Sequence, residues 1–210
     1  ADKSNVIIGP VESMSKSKKN TIDPEVMIKN YGADAVRLFI LSDSPPEKDI
    51  QWTDSGVSSA NKFLQKIWDL NNKILNRKDN NSDAKVENNF LSEINSFIGK
   101  VGLATNNFRF NVCIANFYEL YSLFKNQLNK EISNKVLQEN FTKYMKLMLP
   151  FTPHISSECL ELLKCRDLDK WPTVDKSKII NKINLVIQIN GKTRDIIQVE
   201  KDLEEQVVKK

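Results

Sequence analysis

Between residues 63 and 148, apolar side chains recur at steps of three and four residues in four separate segments. This spacing places them on one face of an α-helix, whereas a strand would show alternation. Because each helix must bury its apolar face and the links are polar, the pattern predicts an antiparallel helical bundle. The expected buried faces are Phe63, Ile67, Leu70 and Ile74; Phe90, Ile94, Phe97, Val101, Ala104 and Phe108; Ala115, Tyr118, Tyr121, Phe124 and Leu128; and Leu137, Phe141, Tyr144 and Met148.

The ends of these helices are marked by capping and breaking residues. Thr53 or Asp54 is a suitable N-cap for the first bundle helix. Residues 77–89 are polar and rich in turn formers, so we expect them to connect helices rather than pack. Phe151-Thr152-Pro153-His154 predicts a further short helix through Leu163, with His154 as a packed or capping residue.

The pattern changes after Trp171-Pro172. Residues 183–189 alternate between apolar and polar, Asn190-Gly191 is a strong hairpin signal, and residues 193–199 supply a partner strand. Asp202 is placed to cap a helix that runs to the end of the chain. A hairpin and a helix have too little core to stand alone, so we expect a partial, truncated α+β domain in a mainly α chain.

Composition narrows the class of protein. The chain has 210 residues, 40% hydrophobic and 28% charged, a balance typical of a globular protein. The sequence has no run of about 18 apolar residues, so we expect no membrane span, and its first residues, Ala1 to Ser4, lack the apolar core of a signal peptide. The first residue is Ala1 rather than methionine, so we expect a piece of a longer protein. The net charge of +4 permits RNA binding without requiring it.

Cysteine usage points to a reducing compartment. Cys113, Cys159 and Cys165 are odd in number, which favours the cytoplasm over an oxidising compartment. Together with His154, the only histidine, they do not have the spacing of a zinc site. We therefore predict packed structural cysteines and no metal.

A lysine- and serine-rich loop, residues 14–20, runs into a helix start near the amino terminus. Lysine ammonium groups, serine hydroxyls and backbone amides all suit phosphate. Asp23 is a good N-cap and Pro24 fits the first helical position. The loop is therefore either a phosphate clamp or a solvated turn, and its residues alone leave both interpretations open.

The longer string from Met14 to Val57 resembles the signature region of class I aminoacyl-tRNA synthetases, whose loop reads Lys-Met-Ser-Lys-Ser. The run Tyr31-Gly32-Ala33-Asp34-Ala35 and the segment from Ser44 to Trp52, with its Pro-Pro-Glu, are similar to the leucyl members of that family. Further similarities are the run 110–115, the run 149–158, Trp171-Pro172, and the run 188–194.

The resemblance assigns roles to the loop residues. It implies that Lys16 lies beside the ATP phosphates and stabilises charge during adenylate formation, with Met14, Ser15 and Ser17 also at the ATP site. The chain departs from the family at Ser13, which stands where the first motif lysine is expected. Ser13 brings no charge, which weakens the expected phosphate binding.

The resemblance implies a parent enzyme, a leucine–tRNA ligase that activates leucine with ATP and Mg²⁺ and charges its tRNA. The family's second ATP motif needs two histidines, and neither a Rossmann-type nucleotide fold nor an editing domain is recognisable here. We therefore expect a fragment that is inactive without the amino-terminal catalytic and editing domains and holds no cofactor tightly. Lys192 and Arg194 at the hairpin are the expected contacts to tRNA phosphate and sugar.

Three regions are expected. Residues 1–53 carry the signature loop and a stem-contact segment, residues 54–172 form an anticodon-binding-type bundle, and residues 173–210 begin the carboxy-terminal tRNA-binding domain. Two alternatives remain open at this point. The chain could be a non-catalytic helical tRNA-binding module, either free-standing or the β half of a split synthetase, or it could be a helical protein-interaction scaffold without nucleotide or RNA affinity.

Overall fold

The computed structural model describes residues 9–10, 12–79, 82–175, 182–189 and 192–200. These residues form a mainly helical fold, as the sequence predicts. The helices of this part of the chain are α1 (Pro24–Tyr31), α2 (Ala33–Asp43), α3 (Asp54–Leu75), α4 (Ala84–Asn106), α5 (Phe110–Gln127), α6 (Asn134–Met148) and α7 (Pro153–Leu162).

The predicted N-cap residues form capping hydrogen bonds at the starts of their helices. The Asp23 carboxylate accepts a hydrogen bond from the backbone amide of Glu25 at 2.9 Å, and Pro24 is the first residue of α1. Of the two candidates for α3, Thr53 is the N-cap, and its hydroxyl accepts from the Gly56 amide. Gly32, with φ of 83°, ends α1 in a conformation that glycine adopts without steric cost.

The bundle has one continuous hydrophobic core. The predicted stripes of the first and fourth bundle helices are confirmed, since every residue named for α3 and α6 is buried. α2 contributes Ala35, Leu38 and Phe39 to the same core. The helices that precede the bundle are thus joined to it by apolar packing as well as by the chain.

The face of α5 that was predicted to be buried is rotated from the face that packs on the core. Ala115 and Tyr118 are exposed and Tyr121 is only half-buried, while neighbouring positions face the core. This rotation leaves the Tyr118 hydroxyl near water and turns Ile114, Phe117 and Leu120 into the core, together with the polar Asn116 and Gln127. The apolar residues that α5 buries are Cys113, Ile114, Phe117, Leu120, Leu123 and Phe124.

Two expectations about α4 also need correction. Phe108 lies beyond the end of the helix with φ of 54°, and its side chain is 65% exposed, so it is not a core residue. Phe97 is half-buried, and Ile98 lies fully in the core beside it. The 3.6-residue period of a helix does not apply beyond the end of α4, so it could not place Phe108.

The segment 77–89 is only partly a connector. α4 begins at Ala84, because the Asp83 carboxylate accepts hydrogen bonds from two amides of the first turn. Arg77 also packs: its guanidinium donates at 2.8–2.9 Å to the carbonyls of Leu128, Lys130 and Ile132. The prediction that this stretch only connects is therefore wrong at both ends.

Two strands follow the bundle, β1 (Lys182–Ile189) and β2 (Lys192–Glu200), paired antiparallel. Ile187 is opposite Asp195 and Gln188 is opposite Thr193, so Arg194 is an extra residue in β2 and forms a bulge. The predicted Asn190-Gly191 turn and the predicted helix after Asp202 lie outside the described residues. Among the helices that are described, none has the length and apolar character needed to cross a bilayer.

Candidate functional site

The lysine- and serine-rich loop is a tight turn over Lys16–Lys19. Backbone amides of Lys18 and Lys19 donate to the carbonyls of Ser15 and Lys16, both at 3.2 Å. Lys19 has φ of 53°, the left-handed conformation that such a turn requires. The loop therefore has a defined backbone shape.

Asn20 closes this turn from its base. Its side-chain oxygen accepts from the Ser15 amide at 2.8 Å, and its side-chain nitrogen donates to the Ser13 carbonyl at 3.3 Å. Ser13, which replaces the lysine expected by resemblance, thus takes part through its backbone. The sequence analysis missed Asn20, although an asparagine at the end of a turn is a familiar source of such bonds.

The predicted site residues of the loop share this turn. Lys16 and Ser17 are exposed, Met14 is 46% exposed, and Ser15 is half-buried with its hydroxyl 3.1 Å from that of Ser17. Lys18 is paired with Glu12, so its charge is partly compensated inside the loop. Within the described part of the chain no ion pair involves Lys16, which leaves its ammonium group available to an anion.

A cavity of about 580 Å³ separates the loop from the segment that follows α2. Met14 and Asn20 line one side, and residues 49–52 line the other. Trp52 is fixed here by two contacts, a hydrogen bond from its indole nitrogen to Asp54 at 3.1 Å and an edge contact with Phe39 at 5.2 Å between centroids. The structure thus brings together two sequence runs that carried the resemblance.

His154 is neither packed nor a cap, and that prediction is wrong. Its side chain is 77% exposed, and its Nδ1 lies 2.9 Å from the carboxylate of Asp34, a residue whose side chain is only 9% exposed. The same carboxylate accepts from the backbone amides of His154 at 3.3 Å and of Ile155 at 2.8 Å. Asp34 of α2 is therefore the group that caps α7.

Arg37, one turn further along α2, reaches the same corner of the bundle. Its guanidinium donates to the Pro150 carbonyl at 2.8 Å and to the Phe151 carbonyl at 3.2 Å. Sequence reasoning missed both α2 contacts, because the partners lie more than 110 residues away. The available signals were the place of Asp34 in the run that carried the resemblance and the presence of Asp34 and Arg37 among apolar residues of α2.

The two expected tRNA contacts lie in β2. Lys192 is opposite Ile189 at the start of the strand, and Arg194 is the exposed bulge residue. A bulge turns a side chain away from the regular alternation of a strand, which sets Arg194 apart from its neighbours.

Two of the three cysteines, Cys113 and Cys159, are buried, which disfavours their reactive thiolate form. Burial raises the pKa of the Cys159 thiol to about 12, and the Glu158 carboxylate adds to this rise. Burial likewise raises the pKa of Cys113, whose sulfur lies 3.4 Å from the Thr105 hydroxyl. Cys165 is half-buried beside Asp167. The part of the chain that the structure covers holds no group of three potential metal ligands.

Most aromatic side chains pack inside the bundle, as predicted. Phe124 contacts the rings of Phe90, Phe141 and Tyr144 at 5.3–5.7 Å. The Tyr144 hydroxyl donates to the Phe117 carbonyl at 2.6 Å, and burial raises its pKa well above the usual range. These rings are therefore core residues rather than stacking platforms for bases.

Comparison with protein families finds a match for most of the helical bundle and a second match for the amino-terminal loop segment. Residues 87–209, more than half of the chain, match the family described as the anticodon-binding domain of tRNA ligase. Residues 9–53, which include the loop and both α2 contacts, match the class I tRNA synthetases for isoleucine, leucine, methionine and valine.

Individual relatives extend this similarity over nearly the whole chain. The leucine–tRNA ligase of Prochlorococcus marinus subsp. pastoris is 40% identical over 207 residues, covering 94% of this chain and 24% of the relative. That of Hyphomonas neptunium is 34% identical over 209 residues, with the same shares. That of Orientia tsutsugamushi is 37% identical over 203 residues, covering 93% and 24%.

A solved structure is similar in three dimensions. It is the LeuRS–tRNA–LeuAMS ternary complex of Agrobacterium radiobacter K84 agnB2, with a TM-score of 0.79 and 28% identity, covering 93% of this chain and 26% of that one. The chain spans about a quarter of the length of the curated relatives it matches. By its helical bundle and by the match over residues 87–209, the chain belongs to the family of the anticodon-binding domain of tRNA ligases.

Proposed function

We propose that this chain is the part of a leucine–tRNA ligase that supplies the ATP-phosphate loop and the tRNA-binding bundle. One observation carries the proposal: a class I synthetase segment, residues 9–53, is followed on the same chain by an anticodon-binding bundle. The leucine–tRNA ligases that match span both. The substrates of the complete enzyme are then leucine, ATP with Mg²⁺, and the leucine tRNA.

The loop is suited to the phosphates of ATP. Lys16 presents an ammonium group that forms no ion pair within the described residues, and its sequence neighbours Ser15 and Ser17 carry hydroxyls 3.1 Å apart. The donor set is cationic and rich in N–H and O–H groups, so it fits an anion and not a metal ion.

In adenylate formation the leucine carboxylate attacks the α-phosphorus of ATP, and the bond to pyrophosphate breaks. Negative charge then grows on the departing phosphate oxygens. Lys16 stabilises that charge, a contribution of about 3 kcal/mol to the transition state for one well-placed donor. Lys18, held by Glu12, adds weaker support from the same turn.

The remaining assignments complete the proposal. Residues 1–53 form the signature and stem-contact segment, residues 54–172 the bundle, and residues 173–210 the start of a tRNA-binding α+β domain. Lys192 and the bulged Arg194 contact tRNA phosphate and sugar, which would position the RNA without reading its bases. The amino-terminal catalytic and editing domains of the same protein are the partners that complete the reaction.

The test is leucine-dependent ATP–pyrophosphate exchange, measured with the chain alone and then with the missing amino-terminal part added in trans. We expect no exchange by the chain alone and measurable exchange on addition. If neither experiment shows exchange, although circular dichroism shows that each part is folded, the result would favour the non-catalytic tRNA-binding module. Exchange by the chain alone would show that the catalytic site has been misplaced.

A further inference from the structure

The two polar contacts of α2 meet at one corner of the bundle, where α6 ends and α7 begins. Asp34 accepts from the first amides of α7, and Arg37 donates to the carbonyls that follow α6. Helix ends leave such groups without intrahelical partners. The side chain of Thr152, the N-cap residue of α7, makes no capping hydrogen bond. The side chain of Asp34 in α2 caps the helix instead.

The charges of the two α2 residues match the groups that they meet. The carboxylate of Asp34 faces the positive amino-terminal end of α7, and the guanidinium of Arg37 faces the carbonyl oxygens of Pro150 and Phe151 in the turn between α6 and α7. A shift of α2 by one turn along the corner would bring like partial charges together. The pair therefore fixes the position of α2 along the corner as well as its contact with it.

The other end of α2 leads towards the loop. Phe39 contacts Trp52 at 5.2 Å between ring centroids, and Trp52 lines the cavity whose opposite side is formed by Met14 and Asn20. On the amino-terminal side, α1 joins the loop to α2 through Gly32. The amino-terminal end of α2 is thus joined to the loop through α1, and Trp52 faces the loop across the cavity.

We propose that Asp34 and Arg37 are positioning residues for the ATP step: they fix α2 on the α6–α7 corner and thereby set the place of the loop relative to the bundle. This inference rests on the proposed function, since it assumes that the loop acts on ATP. Neither residue touches the nucleotide. Their effect passes through α2 and α1, which lead back along the chain to the loop.

The first part of the test concerns the 210-residue chain by itself. Asp34→Asn keeps the shape of the side chain but removes its charge, and Arg37→Gln removes the guanidinium. In Asp34→Asn, one of the two acceptor oxygens becomes an amide nitrogen that cannot accept, so hydrogen exchange at one of the His154 and Ile155 amides should be roughly tenfold faster, with α5 amides unaffected. Asp169→Asn and Arg166→Gln, two exposed positions, are the matched controls. Unchanged exchange at both amides would overturn the cap.

The second part uses the full-length ligase that carries this segment, with active sites counted by adenylate burst. We expect Asp34→Asn and Arg37→Gln to lower kcat per active site for leucine-dependent exchange by roughly 10- to 100-fold. The KM for leucine should stay within about twofold, because the proposed role of the loop is toward the phosphates of ATP. Arg37→Lys should recover part of the rate, since lysine keeps a charged donor.

The outcomes separate the two ideas. If the wild-type ligase shows no leucine-dependent exchange, the proposed function fails and this inference fails with it. If the wild type is active and the variants match the Asp169 and Arg166 controls, only the positioning role is overturned. A loss of active sites with an unchanged kcat per site would show a purely structural contact and would also overturn it.

Discussion

The bundle and the amino-terminal loop segment are held together by different forces. α3 buries eight residues, including Phe63, Ile67 and Ile74, whereas α1 buries none. The loop before α1 keeps its shape through hydrogen bonds among near neighbours and through the Asp23 cap. Apolar burial gives the bundle its stability, while the loop, with little buried surface, is free to adjust to a ligand.

This contrast has a functional meaning under the proposal. A loop that closes on phosphates must move at low energetic cost, and loops with such roles come from the least stable parts of proteins. The bundle must instead hold a fixed surface. α2 belongs to both regions, since it shares the bundle core and is joined to the loop through α1.

The largest effect is expected from opening the bundle core. Phe124→Ala removes a fully buried ring that contacts three other aromatic rings, so it should lower the free energy of unfolding by about 3–5 kcal/mol. Phe108→Ala, at a side chain that is 65% exposed, is the control and should change it by less than about 1 kcal/mol. Denaturant titration of the chain measures both. Equal losses would contradict the assignment of the core.

Two glycine substitutions probe where α3 and α4 can accept a methyl group. A Cβ at Gly56 would lie 2.3 Å from the Phe39 ring, so Gly56→Ala should displace that ring and destabilise the chain by about 1–3 kcal/mol. At Gly99 the nearest atom is 3.6 Å away, an ordinary contact, so Gly99→Ala should stabilise it by up to about 1 kcal/mol. Thermal unfolding would show opposite shifts in Tm, and shifts of the same sign would count against the packing of α2 on α3.

A smaller effect is expected from removing an aspartate N-cap, and the bundle and the loop segment should respond differently to that loss. Asp83→Ala removes the cap of α4 and should lower the free energy of global unfolding by about 1 kcal/mol. Asp23→Ala removes the cap of α1, which has no buried residue, so it should fray that helix and leave global unfolding nearly unchanged. Amide hydrogen exchange on α1, with denaturant titration, tests the pair. A global loss from Asp23→Ala equal to that from Asp83→Ala would show that the loop segment unfolds with the bundle.

Local rules account for most of the fold. The caps Asp23 and Thr53, the stop at Gly32 and the stripes of α3 and α6 all follow from residues close together in sequence. The phase of α5 did not follow, because neighbouring positions on that helix are almost equally apolar and only packing against several helices decides between them.

Sequence alone predicted the loop residues of the site but not the contacts that α2 makes with distant residues. Residues 14–17 were singled out by the composition of the loop and by the resemblance, and the structure places Lys16 and Ser17 in its turn. The Asp34 cap on α7 joins residues 120 positions apart, and no local pattern specifies such a pairing. His154 was misjudged for the same reason: its partner could not be seen until the chain was folded.

The central claim is that Lys16 acts on the phosphates of ATP, and one substitution in the full-length ligase tests it most directly. Lys16→Ala should reduce leucine-dependent ATP–pyrophosphate exchange by roughly 100-fold or more, the usual effect of losing one donor to a developing charge. Affinity for the leucine tRNA should stay within about twofold. Lys29→Ala, at an exposed lysine in the last turn of α1, is the control and should leave both unchanged. Equal losses of exchange and tRNA affinity in Lys16→Ala, or no loss of exchange, would contradict the account.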